Sequence, residues 1–320
     1  MHTFYKNPDK DFVILNITDT QLGDEEWEED HIHYKIFIYT MNELLKRVKP
    51  DLITVTGDIT WSHCAYAHKR FADYMDSLDI PWAPIWGNHD CDIPGVREGK
   101  EKVLLESKNC LYEIGDRKFG SGNYVIRINE GERTVESLIM VDSHDREKVI
   151  LDDGTEHDDW AKLYPEQIEW IRDTALSENN ECSVFLHIPI YAYRTAFDEA
   201  FRGDMYSPEE VKPEESSDEK YWRIQGCTGV KYEGICSYPL DDGAMPEIEK
   251  AGNIRYMFCG HDHVNNFMVP YHGVNLCYAM KTGAACYWKD NVSGGTVIRI
   301  SSEGIKEVKH EYVDYFKENN

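Results

Sequence analysis

Five short segments of this chain set oxygen or nitrogen donors directly behind apolar runs: Asp19 with Gln21, Asp58, Asn88 with His89 and Asp90, His187, and His261 with His263. Carboxylate oxygen, amide oxygen and imidazole nitrogen together suit a borderline metal such as Mn, Fe or Zn, whereas calcium takes oxygens only. A lone Asp behind a strand is ordinarily a turn or cap residue, and a lone strand-end His is ordinarily structural. Repetition at five strand ends, most beside a glycine, points instead to a shared metal centre. The candidate ligands Asp19, Gln21, Asp58, Asn88, His187, His261 and His263 exceed what one ion takes, which predicts two metal ions, Mn, Fe or Zn.

Each donor needs an element to deliver it. Phe12 to Thr18 reads FVILNIT, a continuous apolar and β-branched run of strand length that ends at Asp19. A helix follows over residues 33–49, where Ile36, Thr40, Leu44 and Val48 recur every four residues and Pro50 stops it. LITVT then runs into Gly57 and Asp58; after a second helix from Ala67 to Leu78, PWAPIW leads into Gly87, Asn88, His89 and Asp90. Strand, helix, strand at this spacing implies right-handed crossovers and a parallel sheet whose loops gather at its C-terminal edge.

Beyond Gly122 the pattern changes. NYVIRI and SLIMVDS predict an antiparallel edge or a second sheet, and Leu163 to Leu176 is helical behind Pro165. SVFLHIP and IRYMFCG are buried strands that end at His187 and at Gly260 with His261, while VNLCYAM, GTVIRIS and IKEVKHEYV complete a second β layer. Phe197 to Tyr238, which contains VKPEESSDEK, lacks periodicity and reads as a loop insertion over the site, at about 197–238 in a single domain of residues 1–320.

The order DxQ (Asp19 to Gln21), GD (Gly57, Asp58), GNHD (Gly87 to Asp90), the His187 strand end and GHDH (Gly260 to His263) resembles the calcineurin-like metallophosphoesterases, over roughly residues 12–300. Within that superfamily FLHIPI, EGICSY and GHDHVNNF are similar to the branch of short proteins related to purple acid phosphatases. The resemblance implies an α/β fold, a four-layer αββα sandwich of two mixed β-sheets flanked by helices. It also implies that Asp58 bridges two metals, that Asp19, Gln21 and His263 complete the first site, and that Asn88, His187 and His261 complete the second. A shared carboxylate offsets the repulsion between two nearby cations. By the same resemblance His89 contacts the phosphate and is the candidate general acid. Asp90, next to it, is expected to fix the tautomer of its imidazole. Two positions depart from the family pattern: Gln21 stands where the motif usually has histidine, and Trp61 stands where GDxxY of purple acid phosphatases has a tyrosine. Without that phenolate the tyrosine-to-iron colour is expected to be absent.

Composition narrows the function further. With 320 residues and 41% hydrophobic content the chain can bury a large two-layer core. Acidic residues number 59 against 34 basic ones, a net charge of −25, so no nucleic-acid surface and no membrane surface is expected. The N-terminus lacks a signal-peptide pattern, and the nine cysteines include no CxxC pair, so they read as reduced, mostly buried thiols of a cytoplasmic protein. Neither GxSxG nor GxxxxGK[ST] is present.

The expected reaction is binuclear metal-dependent hydrolysis of phosphate esters by a metal-bound hydroxide, with phosphomonoesters slightly favoured over phosphodiesters. The substrate is a phosphorylated small molecule or a phosphoprotein; the oligomeric state is left open. His144, Tyr193 and Arg194, with Lys231 to Glu233, are weaker candidates for substrate contact. The alternative is a metal-binding regulatory or interaction protein whose turnover is weakened, for which Gln21 is the main support.

Overall fold

The computed structural model describes residues 2–90, 95–151, 153–209, 211–213, 216–217 and 219–319. In chain order the strands and helices are β1 (His2–Tyr5), β2 (Phe12–Ile17), α1 (Ile32–Val48), β3 (Leu52–Thr56), α2 (Tyr66–Ser77), β4 (Trp82–Ile85) and α3 (Arg97–Glu106). Then come β5 (Tyr124–Glu130), β6 (Arg133–Met140), β7 (Arg146–Ile150), β8 (Glu156–Trp160), α4 (Pro165–Glu178), β9 (Cys182–Phe185) and α5 (Ala192–Ala200). The chain continues with α6 (Ala244–Ala251), β10 (Ile254–Cys259), β11 (Met268–Tyr271), β12 (Val274–Tyr278), β13 (Gly294–Ser301), β14 (Gly304–Tyr312) and α7 (Tyr315–Asn319).

Two mixed sheets form the centre. One has the order β14-β13-β2-β3-β4, with β2, β3 and β4 parallel; the other has the order β1-β5-β6-β9-β10-β12-β11. Alternation of side chains along the strands explains the layers. On the second sheet Leu138, Met140, Phe185 and Phe258 point into the core shared with the first sheet, while Ile139, Val184 and Met257 point outward into a second core with α4, α5 and α6. The first sheet is covered by α1 and α2 through Phe37, Met41, Leu44 and Phe71. The result is the αββα sandwich of two mixed sheets expected from the resemblance.

Local chemistry sets the ends of the elements. The α1 stripe Ile36, Thr40, Leu44 and Val48 is buried, and Lys49 closes the helix at φ 52° before Pro50. The stretch read as an unpatterned insertion begins inside α5 and is anchored in the outer core by Phe197, Phe201, Trp222 and Cys227. Of the eight cysteines described, Cys182, Cys227, Cys259 and Cys277 are buried, whereas Cys64 and Cys286 are exposed. "Mostly buried" is therefore too strong, and Cys91 lies outside the described residues. Among the described residues no helix is long and apolar enough to cross a membrane.

Candidate metal centre

Three parallel strands of the first sheet, β2, β3 and β4, lead into the loops that carry Asp19, Asp58 and Asn88; β9 and β10 of the second sheet lead into those that carry His187 and His261. The loops meet so closely that glycine is required between them. A Cβ on Gly87 would collide with the Asp58 carboxylate, and one on Gly260 with the Thr18 hydroxyl. Asp19 (φ 54°), Gln21 (φ 47°), Asp58 (φ 48°) and His261 (φ 79°) adopt left-handed backbone that L-residues rarely take. Such strain persists where surrounding structure over-determines it, and here it falls on four candidate ligands.

Asp58 is the hinge of the cluster, because it belongs to both of its donor groups. Its Oδ1 lies 3.3 Å from His187 Nε2 and accepts from the His89 amide at 2.9 Å. Its Oδ2 accepts from Gln21 Nε2 at 2.8 Å. Two donor groups result, both buried and both containing Asp58: Asp58 with His187 and His261, and Asp19 with Asp58 and His263. Asn88 Oδ1 joins the first of these, 3.1 Å from His187 Nε2.

The imidazoles are oriented from behind. His187 Nδ1 faces the Thr56 carbonyl at 2.8 Å and His263 Nδ1 the Tyr287 carbonyl at 3.0 Å. With Nδ1 protonated to satisfy the carbonyl, the Nε2 lone pair of each ring is left for the cluster. Without a metal that Nε2 position of His187 carries a proton against Asp58 Oδ1, which a bound cation would displace. Burial pushes the Asp58 carboxyl up, yet the charge and hydrogen bond of His187 outweigh it and hold it well below the carboxylate range. Burial likewise pulls His187 down, but Asp58 and Asp19 raise it to about 10.

Whether these residues fit a metal is tested by His261. Its Nε2 is buried without a hydrogen-bond partner, and it lies beside Asp58 and His187. A buried lone pair left unmet is costly, and a cation held with Asp58, His187 and Asn88 would satisfy it. The donor set fits. Above it opens a cleft of about 170 Å³ lined by Asp58, His89, Trp160, Cys236, His261 and Tyr287, among others.

The family profile described as calcineurin-like phosphoesterase matches residues 12–265. The chain belongs to this family. A relative from Arabidopsis thaliana named "Probable inactive purple acid phosphatase 14" is 28% identical over 316 residues, covering 87% of this chain and 72% of that protein. The Saccharomyces cerevisiae protein named "Phosphatase DCR2" is 24% identical over 81% of this chain, which spans 44% of that longer relative. Among solved structures, a dimetal phosphatase from Danio rerio superposes with a TM-score of 0.52 at 12% identity, over 94% of this chain and 98% of that one.

In this calcineurin-like phosphoesterase the seven candidate ligands come together, and the His89 ring lies beside them. The remaining candidate residues have partners of their own. Asp90 does not orient His89: its carboxylate accepts from the amides of Gly87 (2.9 Å), Ile59 (3.1 Å) and Thr60 (3.1 Å) and faces His68 at 3.4 Å. It ties the GNHD turn to the GD turn. Tyr193 is fully buried and its hydroxyl donates to the Met257 carbonyl at 2.8 Å, so it is a core residue. Arg194 donates to Ser237 Oγ at 2.7 Å and to its carbonyl at 3.1 Å, holding the EGICSY segment. His144 stacks on Tyr164 at 4.1 Å and pairs through Nε2 with Gln167 at 2.9 Å. Of the residues from 231 to 233, Lys231 is buried, while Glu233 accepts from the Val264 amide (2.8 Å) and the Tyr287 hydroxyl (2.7 Å) beside the site.

Sequence reasoning missed four neighbours of the centre. Trp160 sets its edge against His261 at 4.3 Å, and Tyr287 stacks on His263 at 4.1 Å. Asp262 accepts from the Cys236 amide at 3.0 Å and from the Tyr278 hydroxyl, pinning EGICSY at the cleft. Lys281, 1% exposed, donates to the Asp19 carbonyl at 2.5 Å. Only Asp262 carried a signal, its place inside GHDH.

Proposed function

We propose that this chain hydrolyses phosphate esters at a centre for two divalent cations, with phosphomonoesters favoured over phosphodiesters. The observation that carries the reading is the placement of His89 in the cleft beside Asp58, the carboxylate common to both donor groups. Asn88, His187, His261 and Asp58 would hold one ion; Asp19, His263 and Asp58, with Gln21 beside them, the other. Bound there, two cations neutralise phosphate charge and activate water. The chain's own residues do the rest. Asp58 sets the spacing, the carbonyls of Thr56 and Tyr287 aim the imidazoles, and His89 donates to the phosphate and to the leaving oxygen. A cleft of about 170 Å³ takes a phosphoryl group and leaves the remainder of the substrate outside, as for a phosphorylated small molecule or a phosphoprotein side chain. We place the reaction in the cytoplasm, on the sequence alone.

A second reading, a metal-binding protein with weakened turnover, is supported by Gln21, which turns its nitrogen toward Asp58. The word "inactive" in the name of the Arabidopsis relative points the same way. A panel of phosphomonoesters, phosphodiesters and phosphopeptides, run on manganese-reconstituted protein, separates the two. Turnover of monoesters above diesters supports the first reading, and full metal content with no turnover on any substrate overturns it.

A further inference from the structure

Gln21 is held from both sides by groups whose chemistry allows one orientation. Lys281 can only donate, so the Gln21 atom 3.4 Å from its Nζ is the amide oxygen. The Asp58 carboxylate can only accept, so the atom 2.8 Å from its Oδ2 is the amide nitrogen. Rotating the amide by a half-turn would set nitrogen against ammonium and oxygen against carboxylate. An amide nitrogen has no lone pair to give a metal, so in this orientation Gln21 contributes nothing to the Asp19, Asp58 and His263 group.

Lys281 itself cannot easily leave. It is 1% exposed and donates to the Asp19 carbonyl at 2.5 Å. Its main chain is tied on both sides: the Thr282 amide donates to the Thr18 carbonyl and the Gly294 amide to the Lys281 carbonyl, each at 2.9 Å. Met280 is fixed by Thr296 Oγ1 at 3.0 Å. A fixed ammonium therefore borders one of the two donor groups. The other group, Asp58 with His187, His261 and Asn88, contains the unmet His261 Nε2.

We propose that Lys281 is a positioning residue that makes the two metal positions unequal, acting as a built-in cation beside Gln21 so that the Asp19 and His263 position binds its ion more weakly than the His187 and His261 position. Two effects act together. The ammonium repels an incoming cation across a low-dielectric pocket, and it holds the Gln21 oxygen away from the ion. The inference rests on the site being a metal centre, and not on its turning over any substrate.

The test is calorimetric titration of the metal-free full chain with Mn²⁺, with bound metal counted by elemental analysis and Mn²⁺ spin resonance recorded at each equivalent. The expected result is two steps: a first ion with the six-line spectrum of isolated Mn²⁺, then a second, bound at least about tenfold more weakly, that brings spin coupling. Lys281→Met should narrow the ratio of the two affinities by about tenfold or more, and Lys281→Arg should preserve it. Should Lys281→Met fail to fold, Lys281→Gln removes the charge while keeping a donor for the Asp19 carbonyl, and is read the same way. Two equal steps in the unaltered chain, or an unchanged ratio in the uncharged variant, overturn the proposal. A chain that loads unequally yet hydrolyses nothing sinks the hydrolase reading and leaves this one standing.

Discussion

The indole of Trp61 lies flat on the imidazole of His89, with ring centroids 4.4 Å apart and planes 21° from parallel. At the place where GDxxY supplies a phenolate, this chain supplies a platform for the ring above the cleft. Trp61→Ala should leave metal content unchanged and lower turnover about two- to tenfold, the worth of one aromatic stack. Trp61→Phe should recover most of it. Steady-state rates beside metal analysis decide the matter, and metal loss in the Ala variant would make Trp61 part of the metal shell.

His89 is expected to act on the substrate and not on the metals. Truncation to Ala should keep metal content and melting temperature close to those of the unaltered chain while turnover falls by about 10²–10⁴. The loss should be smaller on nitrophenyl phosphate, whose leaving group needs no proton, than on an alkyl phosphate. Equal losses on both substrates would leave His89 an electrostatic clamp on the phosphate.

Asp58→Asn should abolish activity and reduce metal content at both positions, because Asp58 belongs to both donor groups. A neutral amide presents one oxygen and one nitrogen and cannot serve two cations. Elemental analysis after reconstitution is the measurement; loss of one ion with normal turnover contradicts the shared role.

Away from the site, Glu136 on β6 is 1% exposed, and its Oε1 accepts from Ser183 Oγ at 2.6 Å. Burial, then the charge of Glu181, raises its carboxyl well above the ordinary 4.5. The folded state thus holds a proton that the unfolded chain releases, and stability falls as pH rises above about 4.5. Glu136→Gln removes this contribution. It should leave stability near pH 4 little changed and raise it at pH 8 by about 1–3 kcal/mol, the cost of an unsatisfied buried polar group. Denaturant melts at the two pH values check it, and a gap independent of pH would contradict the assignment.

The strands that deliver the ligands were legible because each is a continuous apolar run broken by polar residues, the mark of a strand buried on both faces. What escaped was side chains whose type disguises their place. Trp160 ends EHDDW, whose charges read as solvated surface, although the hairpin of β7 and β8 carries its last residue to His261. Lysine is rarely buried, and nothing near Lys281 in the chain announces that the connection between β12 and β13 passes beneath Asp19. Asp90 misled through adjacency. The tight turn Asn88–Asp90 sends neighbouring side chains in different directions, so Asp90 serves the amides of another loop while His89 reaches the cleft.

Because Asp19, Asp58 and Asn88 hang from one sheet and His187 and His261 from the other, any ion captured between them works as a clasp across the sandwich. At a thousandfold excess over its dissociation constant such an ion stabilises the native state by about 4 kcal/mol. That gain falls on a junction between chain segments 242 residues apart, where the His261 amide already donates to Asp19. Metal supply therefore governs how firmly the earliest strands are fastened to the late ones, and a chelator should first open the molecule along this seam.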